Sequence, residues 1–100
     1  MEHQAWDAGQ IHVSLLPRSS EARIIWGYSE AVRIRFDLYN LPGELVWTGR
    51  VEGATGEIRW QLSASSQQPV AGGIYILKAH VHSLDGALDD VKLFKLAVVR

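Results

Sequence analysis

The stretch that decides the fold is AGGIYILKAHVH, from Ala71 to His82. The Gly72-Gly73 pair permits a sharp entry, and the side chains that follow alternate with the period of two of a β-strand. One face, beginning with Tyr75, is apolar throughout, and the other begins with isoleucines and turns polar at Lys78. The pattern predicts a strand that is covered on both faces where it begins and open to water where it ends. We expect it to be the central strand of the domain.

Composition limits the class of protein. The chain has 100 residues, of which 47% are hydrophobic, so it can form one domain with its own core. Its formal net charge is −1 and the charges are dispersed, which excludes a basic stripe for nucleic acid. The absence of cysteine excludes disulfides and thiolate chemistry. The sequence also predicts no transmembrane segment, and any export signal is expected on a longer parent chain.

Alternating runs outside the opening stretch predict six further strands. They are Gln10–Leu16, Ala22–Tyr28, Val32–Tyr39, Glu44–Val51, Gly56–Leu62 and Val91–Val99. Pro42-Gly43 is expected at the centre of a type II turn, and Asp85-Gly86 is typical of a hairpin. Residues 1–9 show no period and are expected to form a flexible linker or arm. Seven short strands predict an all-β fold, an antiparallel immunoglobulin-like (fibronectin III-like) β-sandwich formed as a single domain by residues 10–100.

Two histidines are the strongest candidates for metal ligands. His80 and His82 project from one strand face about 7 Å apart, close enough for two imidazoles to bind one metal ion, and His12 is a conceivable third ligand. Zinc sites use three or four ligands, so the favoured interpretation is a solvated strand edge that binds no metal. We therefore expect no cofactor.

Other polar clusters give no better candidate for catalysis or binding. Asp85, Asp89 and Asp90 lack the ligand spacing of a calcium loop, so a charged hairpin is favoured. The serines between positions 63 and 66 have no histidine or glycine elbow near them in the sequence, which gives a nucleophile no support. The sequence predicts that the protein is not an enzyme.

Four tryptophans in a short chain raise the alternative of a sugar-binding platform. Trp26, Trp47 and Trp60 have the same parity as the aliphatic residues of their strands, which favours core positions. Phe36 and Tyr75 are expected to face inward for the same reason. The remaining tryptophan, at position 6, lies outside the strand pattern, where it could cover the end of the sandwich or contact a preceding domain.

Four segments resemble a known family. They are FDLYNLPGELVWTGRV (36–51), VAGGIYILKAHV (70–81), KLFKLAVVR (92–100) and LLPRSSEARIIWGY (15–28). In that order they are similar to the glycine hairpin, the long strand, the lysine-rich last strand and the opening proline-containing pair of C-terminal immunoglobulin-like domains of bacterial secreted proteins. This pattern is shared by type IX secretion sorting domains and by the flagellar hook-capping protein. The sequence departs from it at Leu16, where the family has asparagine before proline, and in LSASSQQ after Trp60, where the family has an aspartate-glycine turn.

The resemblance implies a function. It implies a non-catalytic C-terminal sorting or attachment module of a larger exported bacterial protein, secreted or at the cell surface after passing through the periplasm. Its partners would be the secretion machinery or neighbouring domains of the parent protein, and the folded last strand would be part of what is read. The alternatives are a structural spacer or a self-assembling, partner-binding β-sandwich of the hook-capping type. A carbohydrate-binding module with weak sugar contacts is third.

Overall fold

Six antiparallel strands make up one sheet in the computed structural model, which describes residues 4–8, 10–15, 21–64 and 68–98. The strands are β1 (Gln4–Ala8), β2 (Ile11–Leu15), β3 (Ala22–Asn40), β4 (Leu45–Trp60), β5 (Gly73–Ser83) and β6 (Asp89–Val98). These ranges contain no helix long and apolar enough to cross a membrane. The predicted all-β, antiparallel class is confirmed, whereas the predicted count of seven strands is wrong for the described residues.

The central strand is β3 and not the Ala71–His82 stretch. Residues 22–26 of β3 pair with β2, residues 32–40 pair with β5, and β4 pairs along both halves. Strand β5 lies between β3 and β6. The sequence predicted two strands here because Gly27 and the Ser29-Glu30 pair resemble a turn, but the chain forms an irregularity between Gly27 and Val32 and continues in the same direction.

Strand β4 likewise replaces two predicted strands. Gly53 was expected to end the first of them. Instead Gly53, with a φ of 136°, lies at a bulge, and the strand continues through it. Before the bulge, odd-numbered residues such as Val51 pair with the inward residues of β3, whereas after it even-numbered residues such as Ile58 do so. The bulge therefore changes the direction of the strand and keeps the apolar side chains on the inner face.

Strand β1 corrects the expectation of a flexible linker or arm for residues 4–8, whereas residues 1–3 and 9 lie outside the described residues. Gln4–Ala8 pairs antiparallel with β2 in a register that joins Ala8 to Ile11. This segment has no clear alternation of its own, so the hydrogen bonds supplied by β2 decide its structure. The side chain of Trp6 lies outside the described residues, and its expected role stays a prediction.

The core lies on the inner faces of β2 to β6. Phe36, Trp60 and Tyr75 are buried as predicted, and Trp26 is also buried. Trp47 is half-buried and packs against the same cluster. The fully buried members with the largest side chains are Phe36, Ile11, Leu15, Ile24, Ile34, Leu38, Leu62, Leu77, Leu96, Val13, Val32 and Val81. Since β2 and β6, which lie apart in the strand order, both contribute, the bent sheet encloses one core cluster among the described residues.

The Pro42-Gly43 hairpin forms where predicted, with a different turn. The Gly43 amide donates to the Asn40 carbonyl, so Leu41 and Pro42 are the central residues of the turn. A type II turn would need a positive φ at Pro42, which its ring forbids, and the positive φ of 95° is at Gly43. The result is a three-residue hairpin loop between Asn40 and Glu44.

The entry to β5 agrees with the sequence analysis. Gly73 has a φ of 152°, a conformation that other residues rarely adopt, and Gly72 forms the bend before it. The Tyr75 hydroxyl donates a 2.6 Å hydrogen bond to the Ala71 carbonyl. This bond ties the buried ring to the backbone ahead of the strand, so the turn and the start of the core are fixed together.

Candidate functional site

The outer face of the β5–β6 hairpin carries the candidate site. His80 and His82 have the parity opposite to the buried Ala79 and Val81, so they project outward. Their ring centroids are 4.2 Å apart and the ring planes are inclined by 40°. The predicted proximity of the two imidazoles is therefore present in the structure.

The third polar group of this cluster is Asp89, which the sequence analysis did not assign to the histidines. Asp89 begins β6 and pairs directly with His82 across the hairpin. Its Oδ1 lies 2.7 Å from Nε2 of His80 and 3.7 Å from Nδ1 of His82. His12, the ligand considered from the sequence, lies on β2 opposite Ile25 and is not part of this cluster.

The other two carboxylates of the hairpin serve different partners. Asp85 accepts hydrogen bonds from the Ser83 hydroxyl and the Ala87 amide, and these bonds lower its pKa. Asp90 lies 2.9 Å from the ammonium of Lys92, and the hydrogen bond from Lys92 lowers the pKa of Asp90 while it raises the pKa of the lysine. The three aspartates therefore do not converge on one cation.

Two arginines of β3 lie beside the His80, His82 and Asp89 cluster. Arg33 pairs with His82 and Arg35 with His80 in the strand register. Each guanidinium is bound by a carboxylate: Nε of Arg33 lies 2.9 Å from Glu52, and Nε of Arg35 lies 3.1 Å from the buried Asp37. These ion pairs offset the positive charge beside the histidines.

Apolar side chains adjoin the cluster on the outer face of β6. Val91 pairs with His80 and is 46% exposed, and Leu93 pairs with Lys78 and is 65% exposed. Leu93 and Val91 therefore place two apolar side chains beside the polar cluster on the same outer face. The sequence predicted both residues in the last strand and gave no sign that their side chains are exposed.

A small cavity lies at the end of β5 near the bulge of β3. It encloses about 130 Å³ and is lined in part by Tyr28, Val32 and Leu88. Burial raises the pKa of Tyr28, and its hydroxyl has no partner among the described residues. The volume is well below the several hundred cubic ångströms of a usual ligand pocket, so we assign no substrate to it.

Three tryptophans lie against the core: Trp26 and Trp60 are buried, and Trp47 is half-buried. The indole N–H of Trp26 donates to the Gly53 carbonyl, and that of Trp60 donates to the Ser63 carbonyl. Trp47 stacks on Trp60 with a centroid distance of 4.5 Å. Among the serines considered as nucleophiles, Ser63 lies in a bridge with Pro69, and the two at positions 65 and 66 lie outside the described residues.

These features define a small antiparallel β-domain with polar and apolar side chains mixed on the outer face of one hairpin. No protein-family model matches the sequence, and no curated protein matches it. Among solved structures, the chain is similar to the crystal structure of dimeric latent PorU from Porphyromonas gingivalis, with a TM-score of 0.72 and 18% identity. The match covers 99% of this chain and 10% of that chain, so this chain spans about a tenth of that protein's length. At this identity the likeness concerns the fold alone.

Proposed function

We propose that the domain is a non-catalytic C-terminal sorting or attachment module of a larger exported bacterial protein. The observation that carries the proposal is the match of nearly the whole chain to a segment that makes up 10% of a much longer protein. A fold that recurs as one part of a long chain is suited to a module. In the same proposal the fold is an immunoglobulin-like sandwich, and the parent protein is secreted or held at the cell surface.

The positions of the family-like segments in the structure support this function. The segment 36–51 forms the hairpin between β3 and β4, the segment 70–81 runs into β5, and the segment 92–100 includes most of β6. These strands are neighbours in the order β4, β3, β5, β6. Three of the four segments that resemble the sorting domains therefore form one continuous part of the sheet.

The surface that a secretion apparatus could read is the outer face of β6. Its inward residues Phe94 and Leu96 are buried in the core, whereas Leu93 and Lys95 are exposed. Removing the segment from Phe94 onward would delete part of the core, so loss of sorting in such a truncation would have two explanations. Substitutions of the two outward residues avoid this ambiguity.

The test is a fusion of a signal peptide, a reporter and this domain, expressed in a bacterium with type IX secretion. We expect the intact fusion at the cell surface and the double variant Leu93→Ser, Lys95→Ser to be held in the periplasm. A matched control is Ile25→Ser, which changes another outward residue, on the part of β3 that pairs with β2. Protease resistance of each fusion establishes that the domain is folded.

Two results would reject the sorting function. The first is an intact fusion that stays in the periplasm while its domain is folded, and the second is surface delivery that does not depend on the domain. The alternative is then a spacer or partner-binding sandwich, which the exposed Val91 and Leu93 favour. In that case the same double variant should weaken association with the neighbouring domain or with a second copy.

A further inference from the structure

His80, His82 and Asp89 form a set of metal-binding side chains that neither the fold nor the proposed function requires. One ligand atom from each of the three residues lies within 4.8 Å of the other two. Two imidazoles and one carboxylate are a donor set that zinc takes in proteins. The sequence alone favoured a solvated edge because it supplied two adjacent ligands, and the hairpin supplies the third.

The separations suit a tetrahedral ion. Zinc lies about 2.0–2.1 Å from imidazole nitrogen and about 2.0–2.2 Å from carboxylate oxygen, which places tetrahedral ligand atoms about 3.3–3.5 Å apart. The distance from Asp89 to His80 is 2.7 Å and that to His82 is 3.7 Å, so the required value lies between them. The 2.7 Å contact between Nε2 of His80 and Oδ1 of Asp89 is a hydrogen bond that the ion would replace. The three ligand atoms, all within 4.8 Å of one another, would move to tetrahedral separations as the ion binds.

Hydrogen bonds fix the backbone that carries these ligands. His82 and Asp89 face each other in the register of β5 and β6. The hairpin closes through the Ser83 amide, which donates to the Leu88 carbonyl, and through the Leu88 amide, which donates to the Ser83 hydroxyl. The ligands are therefore held close together before an ion binds, which lowers the entropic cost of binding.

The surroundings of the three ligands leave room for water beside the ion and limit the repulsion between the ion and nearby positive side chains. The side chains of His80, His82 and Asp89 are 36%, 51% and 64% exposed, so water can reach the fourth coordination position. The two nearest cations on β3, Arg33 and Arg35, are each bound to a carboxylate. The histidines must be neutral to coordinate, and the aspartate supplies one negative charge.

We propose that His80, His82 and Asp89 bind one Zn²⁺ ion at the protein surface, with water completing the tetrahedral shell. The ion joins β5 to β6 and stabilises the hairpin that carries the exposed face of β6. This proposal stands on the three residues and does not rest on the sorting function.

The experiment is a titration of the untagged protein with zinc. Binding is measured by isothermal titration calorimetry, and stability is measured by thermal unfolding at each zinc concentration. We expect one ion per chain and an increase of several degrees in Tm at saturating zinc, because an ion that binds the native state stabilises it by linkage. The increase should vanish after addition of a chelator. His80→Ala and Asp89→Asn should each weaken zinc binding at least tenfold.

A control separates the site from non-specific binding by histidine. His12→Gln changes a histidine on a different strand and should leave both the stoichiometry and the zinc-dependent increase in Tm unchanged. The exposed positions of the three ligands mean that their variants should keep a cooperative unfolding transition without zinc. The proposal is overturned if the wild-type protein shows no zinc-dependent change in Tm, or if the change persists in His82→Ala.

Discussion

Trp47 and Trp60 stack with their ring centroids 4.5 Å apart and their planes inclined by 21°, although both belong to β4. Thirteen residues of straight strand would separate them by about 43 Å. The contact therefore requires β4 to bend back on itself, and the pairing with β3 is interrupted between Gly53 and Thr55. The indole of Trp26, on the neighbouring strand β3, donates a hydrogen bond to the Gly53 carbonyl and so stabilises the bend of β4.

Replacing Trp60 tests whether this contact stabilises the fold. The side chain is 5% exposed, and its truncation removes the stack and leaves a cavity between the two ends of β4. We expect Trp60→Ala to lower the free energy of unfolding by about 3–5 kcal/mol, as measured by urea denaturation. Leu41→Ala, at a side chain that is 68% exposed, is the control and should change it little. An unchanged midpoint in Trp60→Ala would contradict the inward assignment.

Gly56 tests the close approach of an indole to the backbone of β4. A Cβ atom at this position would lie 2.5 Å from the ring of Trp26, which is itself buried and tied to Gly53. We expect Gly56→Ala to lower the free energy of unfolding by about 1–3 kcal/mol because the ring or the strand must shift. The matched control is Gly27→Ala, whose Cβ would meet Thr55 at 3.9 Å and fit without displacement. Equal effects of the two substitutions would refute the steric explanation.

Asp85, in the turn between β5 and β6, should make the stability of the fold depend on pH. Hydrogen bonds from Ser83 and Ala87 lower the pKa of Asp85 in the folded protein. Their stabilising effect is complete above the unfolded pKa of about 3.9 and is lost as the pH falls through the lower folded value. We expect Asp85→Ala to reduce Tm at pH 7 and the difference from the wild type to narrow below about pH 4.

Circular dichroism melts from pH 7 to pH 2.5 measure this difference. Leu84→Ala changes a non-titrating, exposed residue of the same turn, so its effect on Tm should not depend on pH. A difference between Asp85→Ala and the wild type that stays constant over the whole range would show that ionisation of Asp85 does not contribute.

The sequence alone does not place Asp89 in the candidate site. The sequence identified His80 and His82 as neighbours but paired them with His12, because it gave no register between distant strands. A signal for Asp89 did exist, since a hairpin closed by Ser83 and Leu88 places position 89 opposite position 82. Using it required the length of the turn, which the Asp85-Gly86 dipeptide does not specify.

The sequence by itself determined the all-β class, the inward face of β5 and of the second half of β3, and the positions of the β3–β4 and β5–β6 hairpins. These features depend on a period of two and on turn residues, which act over a few neighbouring positions. The tertiary structure alone decided that the chain continues as one strand from Ala22 to Asn40, and that Gln4–Ala8 is a strand. Whether a polar or glycine-containing interruption becomes a turn or a bulge depends on the hydrogen-bonding partners beside it, and strands distant in the sequence supply those partners.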